Sequence, residues 1–595
     1  TSDAVWAYAV AAATLMVAIL APAFGVIADR KPIKMTWLRY LTYIGAGSTF
    51  LIGFDFLYSG SEWVWMMVFF LLANIGLNGA GVFYNAMLPH MGTDDEMDDI
   101  SNRAFAYGYL GGGILLLIHF ILVLGIGGDF VIRLCLASAG VWWYGFALLT
   151  FKYVPEPPME AEEESVDLMS AYRQVIQTLK EVSKFRTLFI YMLAYFFFID
   201  GINTVTALGG VFGTAVLGVT TTELMVTILA IQFVAWPSAL FFTTLSNGGR
   251  VLGLITIDGI GTKKALSVSL AGWVVLCFAA CSFAPLALDS HDQHDVLFEW
   301  DSDGDGIADS YDDDVDGDWF DNAYEIEMGT DPLDYMDSPS PLPQTWLQER
   351  LATSGSYVAY MNWNFDHSIA QKADFSDEEF NEQEWAETFS GILPVEIGEK
   401  SGIYDWKWGS SEDAPHMVKV NDQAQLQNFL TSIGDTRFSA SVSGGPLGES
   451  SSVGIDHPTN LGDGPIDVIP ETVRDIVWEP LGLTVGLQFL LLGCGMGTLL
   501  GGSQGLARSI FGQMVPETRS AEFFGFFGFF GKVAAFIGPL LYATLTVMYG
   551  SRVGVFCISL LILIGAYMMR WVDVDDGRAA ARAEDARNRG ITIDS

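Results

Sequence analysis

Two acidic stretches near the middle of the chain have the residue types and spacing of calcium-binding loops. In each twelve-residue loop, carboxylates stand at the first, third, fifth and twelfth positions. This spacing can place around one cation the roughly six to eight oxygens that Ca²⁺ requires. Gly306 stands at the sixth position of the first loop, where the chain turns sharply, and Trp319 stands there in the second. The spacing predicts Ca²⁺ as a cofactor, bound by Asp301, Asp303, Asp305, Asp309 and Asp312 in the first loop and by Asp314, Asp316, Asp318 and Glu325 in the second.

The loops belong to a segment whose charge differs from the rest of the chain. Residues 287–470 hold 39 Asp and Glu against 6 Lys and Arg, in a chain of 595 residues with a net charge of −40. A solvated acidic linker, or acidic enrichment suited to high salt, is the alternative interpretation, but two loops in phase favour calcium. Through Asp331 and Pro332, the segment is similar to thrombospondin type 3 calcium repeats. The resemblance supports the same calcium-binding role.

The region after the loops has aromatic residues and then a stretch rich in Gly and Ser. The aromatic part predicts a small folded unit, and residues 438–468 predict a flexible tether that returns the chain to the next helix. The five Cys of the chain lie in apolar segments, so we expect no disulfide in this region. The tryptophans on which the folded unit rests are Trp346, Trp363, Trp385, Trp406 and Trp408.

Two charged residues stand inside apolar segments, where ionisable groups are costly and are functional candidates. At a rise of about 1.5 Å per residue, Asp200 and Lys532 each lie roughly 17 to 20 Å from one helix end, near mid-membrane. We expect that they could meet. The hypothesis is that Asp200 binds a proton or a substrate amino group, with Lys532 as counter-charge or carboxylate ligand. A purely structural ion pair is the alternative.

The elements that carry these residues are apolar blocks of about 20 residues, the length of a helix that crosses a roughly 30 Å hydrocarbon layer. They predict an all-α polytopic membrane protein in a lipid bilayer, because lipid offers backbone groups no partner. Periodicity argues against a barrel. The eleven blocks lie near 4–27, 36–57, 63–87, 104–126, 130–151, 187–213, 222–245, 265–287, 480–502, 521–548 and 551–572.

The distribution of basic residues predicts the orientation. Alternate connections hold 20 Lys and Arg, whereas the opposite short connections hold only Arg133 and Arg552. Short cytoplasmic loops retain Lys and Arg, so we expect a cell-membrane protein with a cytoplasmic C-terminus and an extracellular insert. An odd helix count and Thr1 at the start favour a missing first helix, with a true eleven-helix chain and a processed N-terminus as the alternative.

Each half of the membrane part has a charged turn after its second helix, which is a repeat signal. The first turn contains Gly25, Asp29 and Arg30, and the second contains Asp258 and two lysines. A small residue permits close helix contact, and a carboxylate can cap a neighbouring helix. These residues resemble the major facilitator superfamily, whose loop between helices two and three has this Asp-Arg pattern.

Further motifs resemble a narrower branch, the one related to the vacuolar amino-acid effluxer of autophagy. The resemblance covers nearly all of 1–286 and 480–572, and the insert departs from it. It implies a twelve-helix fold, hence an absent first helix, and an alternating-access carrier. The motifs are Phe83 to Pro89, Arg103 to Gly113, Ile199 to Thr204, Gln504 to Ser509, Pro516 with Glu517, and Ala521 to Gly525.

The resemblance also assigns candidate roles to polar residues. Several lie on helices that line the cavity in this superfamily, although small polar residues also serve in helix packing. We expect a small organic solute, such as an amino acid, as substrate, with a proton or Na⁺ as the coupling ion. Candidates for substrate or proton binding are Asp200, Lys532, Asn203, Thr204, Asn74, Asn78 and Gln504. Candidates for gating are Gly25, Asp29, Arg30, Asp258, Arg508, Glu517 and Glu522.

Other functional classes fit less well. The chain has no catalytic constellation and no nucleotide-binding loop, and with its acidic charge and lack of basic runs we expect neither an enzyme nor a nucleic-acid partner. The competing class is a calcium-dependent adhesion or sensing protein anchored by a helical bundle. We predict the divisions 1–151 for the first bundle half, 152–186 for a cytoplasmic loop, 187–287 and 479–572 for the second half, 288–340 for the calcium repeats, 341–478 for the folded unit and tether, and 573–595 for the tail.

Overall fold

The computed structural model describes most of the chain. The described residues are 17, 20–57, 62–94, 96–157, 168–180, 184–251, 255–351, 355–361, 417–420, 423–435, 438–455, 457–461 and 464–590. Its helices are α1 Leu20–Asp29, α2 Lys34–Ile52, α3 Glu62–Ala86, α4 Met97–Gly125, α5 Gly128–Tyr153, α6 Leu168–Lys180, α7 Arg186–Phe212, α8 Thr221–Asn247, α9 Thr262–Ala280, α10 Asn322–Met328, α11 Gln344–Arg350, α12 Gln423–Ser432, α13 Val468–Val473, α14 Val485–Gln513, α15 Ser520–Tyr549, α16 Ser551–Met568 and α17 Val574–Asn588.

Within the described residues, nine helices are long and apolar enough to cross a membrane: α3, α4, α5, α7, α8, α9, α14, α15 and α16. They coincide with the third to eleventh predicted apolar blocks, so the prediction of a polytopic α-helical membrane protein is confirmed. Residues 20–27 of the first block lie in α1, and the second block overlaps α2. The predicted count of eleven helices stays a prediction.

Glycines allow the first helices to pack closely. A Cβ atom at Gly76 of α3 would overlap the backbone of Gly45 in α2, and one at Gly140 of α5 would lie 2.6 Å from the carbonyl oxygen of Ala46. Apolar side chains gain little by leaving lipid for a helix interface, so association there depends on such close backbone contact. These contacts fix α2 against both neighbours and thereby fix the turn that precedes it.

The chain forms two compact units. One comprises residues 1–210, 225–281 and 490–595, which include most of the membrane helices, and the other comprises 211–224 and 282–489. The second unit contains a five-stranded sheet of order β5-β4-β3-β6-β7, in which β3 and β6 are parallel and the other pairs antiparallel. A short hairpin, β1 Gly249–Val251 with β2 Ile255–Ile257, precedes α9 in the first unit.

The sheet differs from two predictions about the insert: its division into 288–340 and 341–478, and the flexible tether at 438–468. Its strands are β3 Val296–Asp301, β4 Ser356–Met361, β5 Met417–Val420, β6 Ser439–Ser443 and β7 Ser450–Val453. The acidic repeats and the folded unit are one domain, because β3 before the loops pairs with β4 after them. The tether prediction is wrong for β6 and β7, where Ala440 and Val442 alternate into the core with 0% exposure. Trp363, Trp385, Trp406 and Trp408 lie outside the described residues.

Candidate functional site

The carboxylate of Asp29 caps the first turn of α15. Its Oδ1 accepts a hydrogen bond from the N–H of Ala521 at 3.0 Å, and its Oδ2 accepts one from Glu522 at 2.8 Å. The first N–H groups of a helix have no partner within it and carry partial positive charge, so an acidic cap stabilises them. Lys34 completes the cluster with an ion pair to Asp29 at 2.8 Å. We call this end of the bundle the basic end, because the Lys- and Arg-rich connections lie there.

Gly25 permits the approach that this cap requires. A Cβ atom at this position would overlap the carbonyl group of Ala521 at the start of α15. The C-terminal part of α1, in the first half of the bundle, therefore lies directly against a helix of the second half. The two predicted gating residues Gly25 and Asp29 act on the same helix end.

We expect Gly25→Ala to weaken this contact by about 1 to 3 kcal/mol, because backbone atoms cannot yield to the added methyl group. Gly47→Ala in α2 is the matched control, since a Cβ there meets nothing within 4 Å. Hydrogen exchange of the amides of Ala521 and Glu522 is the measurement. Unchanged protection of these two amides in Gly25→Ala would contradict the expectation.

Glu522 joins the same helix end to the central connection. Its fully buried carboxylate pairs with Arg519 at 2.9 Å and accepts hydrogen bonds from Thr178 and Gln174 of α6. Arg30 in turn donates to Gln174 at 3.4 Å. Arg30 and Glu522, two predicted gating residues, are thereby linked through α6.

A second cluster at the basic end surrounds Asp98 in the first turn of α4. Its Oδ1 accepts hydrogen bonds from Ser509 at 2.5 Å and from Gln513 at 3.2 Å, both on α14. Its Oδ2 accepts from Thr262 of α9 at 2.6 Å and from Ser246 of α8. With 2% exposure, one carboxylate of the first half holds three helices of the second half.

Arg508 extends this interface toward the middle of α14. Its guanidinium donates to the hydroxyl and carbonyl oxygens of Ser101 at 2.9 Å each and to Asn85 Oδ1 at 3.2 Å, and it lies over the ring of Phe105. Gln504, one α-helical turn deeper, accepts a hydrogen bond from Tyr109 at 3.0 Å. The predicted residues Arg508 and Gln504 therefore both contact the first half.

Two predicted gating residues lie elsewhere. Asp258 is exposed in the turn before α9, and Asp98 makes the contact with the second half's connection instead. Glu517 pairs with Arg589 of the C-terminal helix α17 at 2.6 Å. Sequence patterns offered no signal for Asp98, since its four donors come from three helices distant in the chain.

Farther from the basic end, Asp200 and Thr204 lie against the turn of α15 that contains Pro539. Pro539 has no N–H, so it breaks the helix hydrogen-bond ladder locally, and the N–H of the preceding Gly538 donates to Asp200 Oδ1 at 2.9 Å. A Cβ atom at Gly538 would overlap the Thr204 hydroxyl. Among the described residues, Asp200 Oδ2 and Thr204 Oγ1 are buried without a hydrogen-bond partner. These two oxygens form a candidate site for a proton or a cationic group.

Lys532 does not meet Asp200 in this structure, contrary to the expectation from their depth. It precedes Gly538 by six residues, which is roughly 9 Å along the helix and on another face. Its neighbour Gly531 instead lies against Tyr195, five residues before Asp200 on α7. Asn203 lies on α7 with a half-buried side chain, whereas Asn78 donates to Asn74 within α3.

Carboxylate oxygens converge in both acidic loops. Oxygens of Asp301, Asp303 and Asp305 lie within 4.8 Å of one another, as do those of Asp314, Asp316 and Asp318. The first group begins where β3 ends, and α10 brings Glu325 to the second. Asp309 lies outside both oxygen groups, and its carboxylate accepts from the N–H and hydroxyl of Ser302 at 2.7 and 2.8 Å.

The second loop keeps its turn geometry although a tryptophan replaces glycine. Trp319 has φ of 77°, a left-handed conformation like the 105° of Gly306, and such a conformation costs a bulky residue about 1 to 2 kcal/mol. Its N–H donates to Asp314 Oδ2 at 2.8 Å, as that of Gly306 donates to Asp301 at 3.0 Å. The ring of Trp319 packs against Trp346, with centroids 5.2 Å apart.

Buried carboxylate oxygens in the second loop fit a cation. Asp316, Asp318 and Glu325 are 2% exposed or less, and within the described part of the chain one oxygen of each has no hydrogen-bond partner. Burial, together with the neighbouring carboxylates, raises the pKa of Asp316 to about 7, that of Asp312 to about 7 and that of Asp303 to about 8. Buried acids without partners are costly, and a divalent cation removes this cost.

Comparison with known proteins identifies the family of the membrane part. Residues 1–281 and 473–582 match the family model described as vacuole effluxer Atg22 like. The chain belongs to this Atg22-like family. The match stops at both ends of the insert, so the acidic loops and the sheet are not part of the family pattern.

Individual relatives of the family cover only parts of the chain. An uncharacterised MFS-type transporter, YxiO of Bacillus subtilis, is 28% identical over 286 residues, which are 47% of this chain and 63% of that protein. Autophagy-related protein 22-1 of Penicillium rubens is 32% identical over 112 residues, 19% of each chain. Autophagy-related protein 22 of Kluyveromyces lactis is 28% identical over 107 residues, 18% of this chain and 22% of that protein. The resemblance to the facilitator superfamily and to this branch is confirmed.

Proposed function

We propose that this protein is a secondary active or facilitative transporter that moves a small organic solute, such as an amino acid, by alternating access. The observation that supports this most is the network at the basic end, where Asp29, Asp98 and Arg508 join the two halves of the bundle. The deepest of these bonds joins Tyr109 to Gln504 near the middle of α4 and α14. A helical anchor for an adhesion domain gains nothing from buried charges between its halves.

The network acts as a gate that opens and closes during transport. Its bonds are made by side chains to helix ends and to other side chains, so they can break and re-form as the halves rock against each other. The basic end is cytoplasmic in this proposal, following the distribution of Lys and Arg, and the bonds of the network would hold that end closed. The other end then admits solute from outside.

The candidate site at Asp200 supplies the coupling or binding step. A buried carboxylate with one oxygen and a neighbouring hydroxyl that lack hydrogen-bond partners among the described residues can take up a proton, Na⁺ or the amino group of a substrate. Thr204 shares this site because it contacts the same glycine.

We expect Asp200→Asn to abolish uptake driven by a pH gradient, because the amide cannot accept and release a proton at this position. Exchange of substrate across the membrane persists if Asp200 carries only the proton. Proteoliposomes loaded with a panel of amino acids, tested across pH and with or without Na⁺, provide the measurement.

The control for this test is Thr206→Ala, on the same helix, where the hydroxyl donates only to the backbone of its own helix at Ile202. Loss of both uptake and exchange in Asp200→Asn would favour a purely binding role, and unchanged uptake would remove Asp200 from the mechanism. The effects of Asp200→Asn and Lys532→Ala should add, because the two side chains do not meet.

The proposal includes an extracellular insert that binds Ca²⁺ through its two acidic loops. The carboxylates of the two oxygen groups, with Asp312 and Glu325, would hold the ions and lose their mutual repulsion. The ions would order the loops, so binding free energy would appear as stability of the insert. A loop on the outer side of the membrane would meet calcium concentrations that suit affinities of about 10⁻⁴ to 10⁻³ M.

We expect the calcium affinity to rise with pH up to about 8. Folded metal-free loops hold protons up to the raised pKa of Asp303, about 8, whereas the unfolded chain releases them near 4. The stability of metal-free loops is therefore present at low pH and declines as the pH rises. Calcium must displace these protons, so binding should release them.

Isothermal titration calorimetry of the full chain at pH 5.5 and 8, in buffers of different ionisation enthalpy, measures both effects. We expect at least about a tenfold gain in affinity, since more than one proton is displaced. Equal affinity at the two pH values, without proton release, would contradict the arrangement of carboxylates described above.

A further inference from the structure

One guanidinium joins the two acidic loops. Arg350, the last residue of α11, donates from Nη1 to the carbonyl oxygen of Asp303 at 3.0 Å and from Nη2 to that of Ser302 at 3.1 Å, both in the first loop. From Nε it donates to the carbonyl oxygen of Asp316 in the second loop at 3.0 Å. The rigid fork of an arginine can reach two backbone segments at once, which the single ammonium of a lysine cannot.

The loops also contact each other directly. Gly317 of the second loop lies against Asp303 of the first, where a Cβ atom would come 2.5 Å from the carboxylate. The N–H of Asp314, the first residue of the second loop, donates to Asp312 Oδ1, the last carboxylate of the first loop, at 2.8 Å. A change of shape in one loop therefore reaches the other.

Two side chains of helix α11, Arg350 and Trp346, hold the helix against the loops and the segment that follows them. Arg350 lies over the ring of Tyr335, 5.5 Å from its centroid, and Trp346 on the same helix packs against Trp319 of the second loop. The position of α11 thus depends on the folded shape of both loops. Arg350 can make its three bonds only when both loops are ordered.

We propose that Arg350 couples the two loops, so that they bind Ca²⁺ cooperatively as one unit. This inference rests on the proposed calcium binding. The first ion orders its own loop, Arg350 and α11, and thereby part of the other loop. The second ion then binds to a partly ordered loop, and the difference in ordering cost is the coupling free energy between the sites.

The test is a calcium titration of the full-length protein followed by hydrogen exchange, with peptides that report separately on residues of the first loop, the second loop and α11. In the wild type we expect all three to gain protection at one midpoint, with a Hill coefficient of about 1.5 or more, which a tenfold coupling of two sites gives. Arg350→Gln and Arg350→Lys should both separate the midpoints and lower the coefficient toward about 1.

Lys419→Gln is the matched control. The Lys419 ammonium donates to the Gly304 carbonyl in the first loop, so its loss removes a nearby positive charge without breaking a link between the loops. We expect this variant to shift the midpoint but keep a single one. Equal behaviour of Lys419→Gln and Arg350→Gln would assign the effect to charge and overturn the coupling role.

A double-mutant cycle covers the case in which an Arg350 variant folds poorly. Glu325→Gln disables the second loop and should lower the affinity of the first loop about tenfold when Arg350 is present, but less than about twofold in Arg350→Lys. An equal loss in both backgrounds overturns the inference. Absence of any calcium-dependent protection in the wild type would instead refute calcium binding itself, and the coupling with it.

Discussion

Asp98→Ala is expected to open the basic end of the bundle and to abolish transport while the protein still inserts into the membrane. The substitution removes the acceptor of four hydrogen bonds that come from α8, α9 and α14. Each buried donor left unpaired costs about 1 to 3 kcal/mol, and water that enters the opened end offsets part of this loss. A net cost of about 3 kcal/mol shifts the balance between closed and open states by more than about a hundredfold.

Spin labels at Met91 and Asp575 measure this shift, because both side chains are exposed, Met91 belongs to the first half, and Asp575 lies on α17, which is bonded to the start of α15 in the second half. In a background without the native cysteines, the distance distribution should move to longer values in Asp98→Ala. Asp99→Ala is the matched control, since the Asp99 carboxylate is partly exposed and pairs with Arg103 on its own helix. Identical distributions in Asp98→Ala and Asp99→Ala would contradict a gating role.

Removal of calcium is expected to have its largest effect in the insert. At a calcium concentration about a hundred times the dissociation constant, binding stabilises the folded loops by about 2.7 kcal/mol, so a chelator should raise hydrogen exchange in residues 301–325 by roughly a hundredfold. Peptides from α7 and α14 should be indifferent, because the backbone of a membrane helix satisfies its own hydrogen bonds.

Variants distinguish calcium binding from a general effect of acidity. Asp303→Ala, Asp316→Ala and Glu325→Gln should each weaken the response, whereas Asp313→Asn should not, because Asp313 is exposed and outside both oxygen groups. If exchange in 301–325 is the same with chelator and with about 10 mM Ca²⁺, which is above the affinity range of extracellular modules, the segment is an acidic linker.

The C-terminal helix shows how the basic end is held from outside the bundle core. Asp585 of α17 accepts hydrogen bonds from the N–H groups of Glu517 and Thr518, and Glu584 pairs with Arg519 and Lys184. The segment 573–595, predicted as a cytoplasmic tail, therefore contacts the start of α15. Glu517 takes part in this contact through its ion pair with Arg589 at the end of α17.

The sequence by itself determined those features that depend on local pattern. Runs of apolar residues fixed the membrane helices, because lipid accepts only long helices of this composition. The spacing of Gly25 and Asp29 predicted a helix contact, and the structure shows which helix end Asp29 caps. Alternating aspartates predicted two loops with converging oxygens, and the structure has both groups.

The tertiary structure decided every feature that depends on how distant segments meet. Depth in the membrane suggested that Asp200 and Lys532 could pair, but the stagger and rotation of α7 against α15 place Gly538 beside Asp200 instead. Asp98 and Arg350 are single polar residues with no motif, and their roles arise from donors and carbonyls brought from elsewhere. Ala440 and Val442 became core residues because β3 provides a partner for a stretch that composition marked as flexible. Spacing along the chain encodes contacts within one element, whereas contacts between elements depend on packing that no local pattern records.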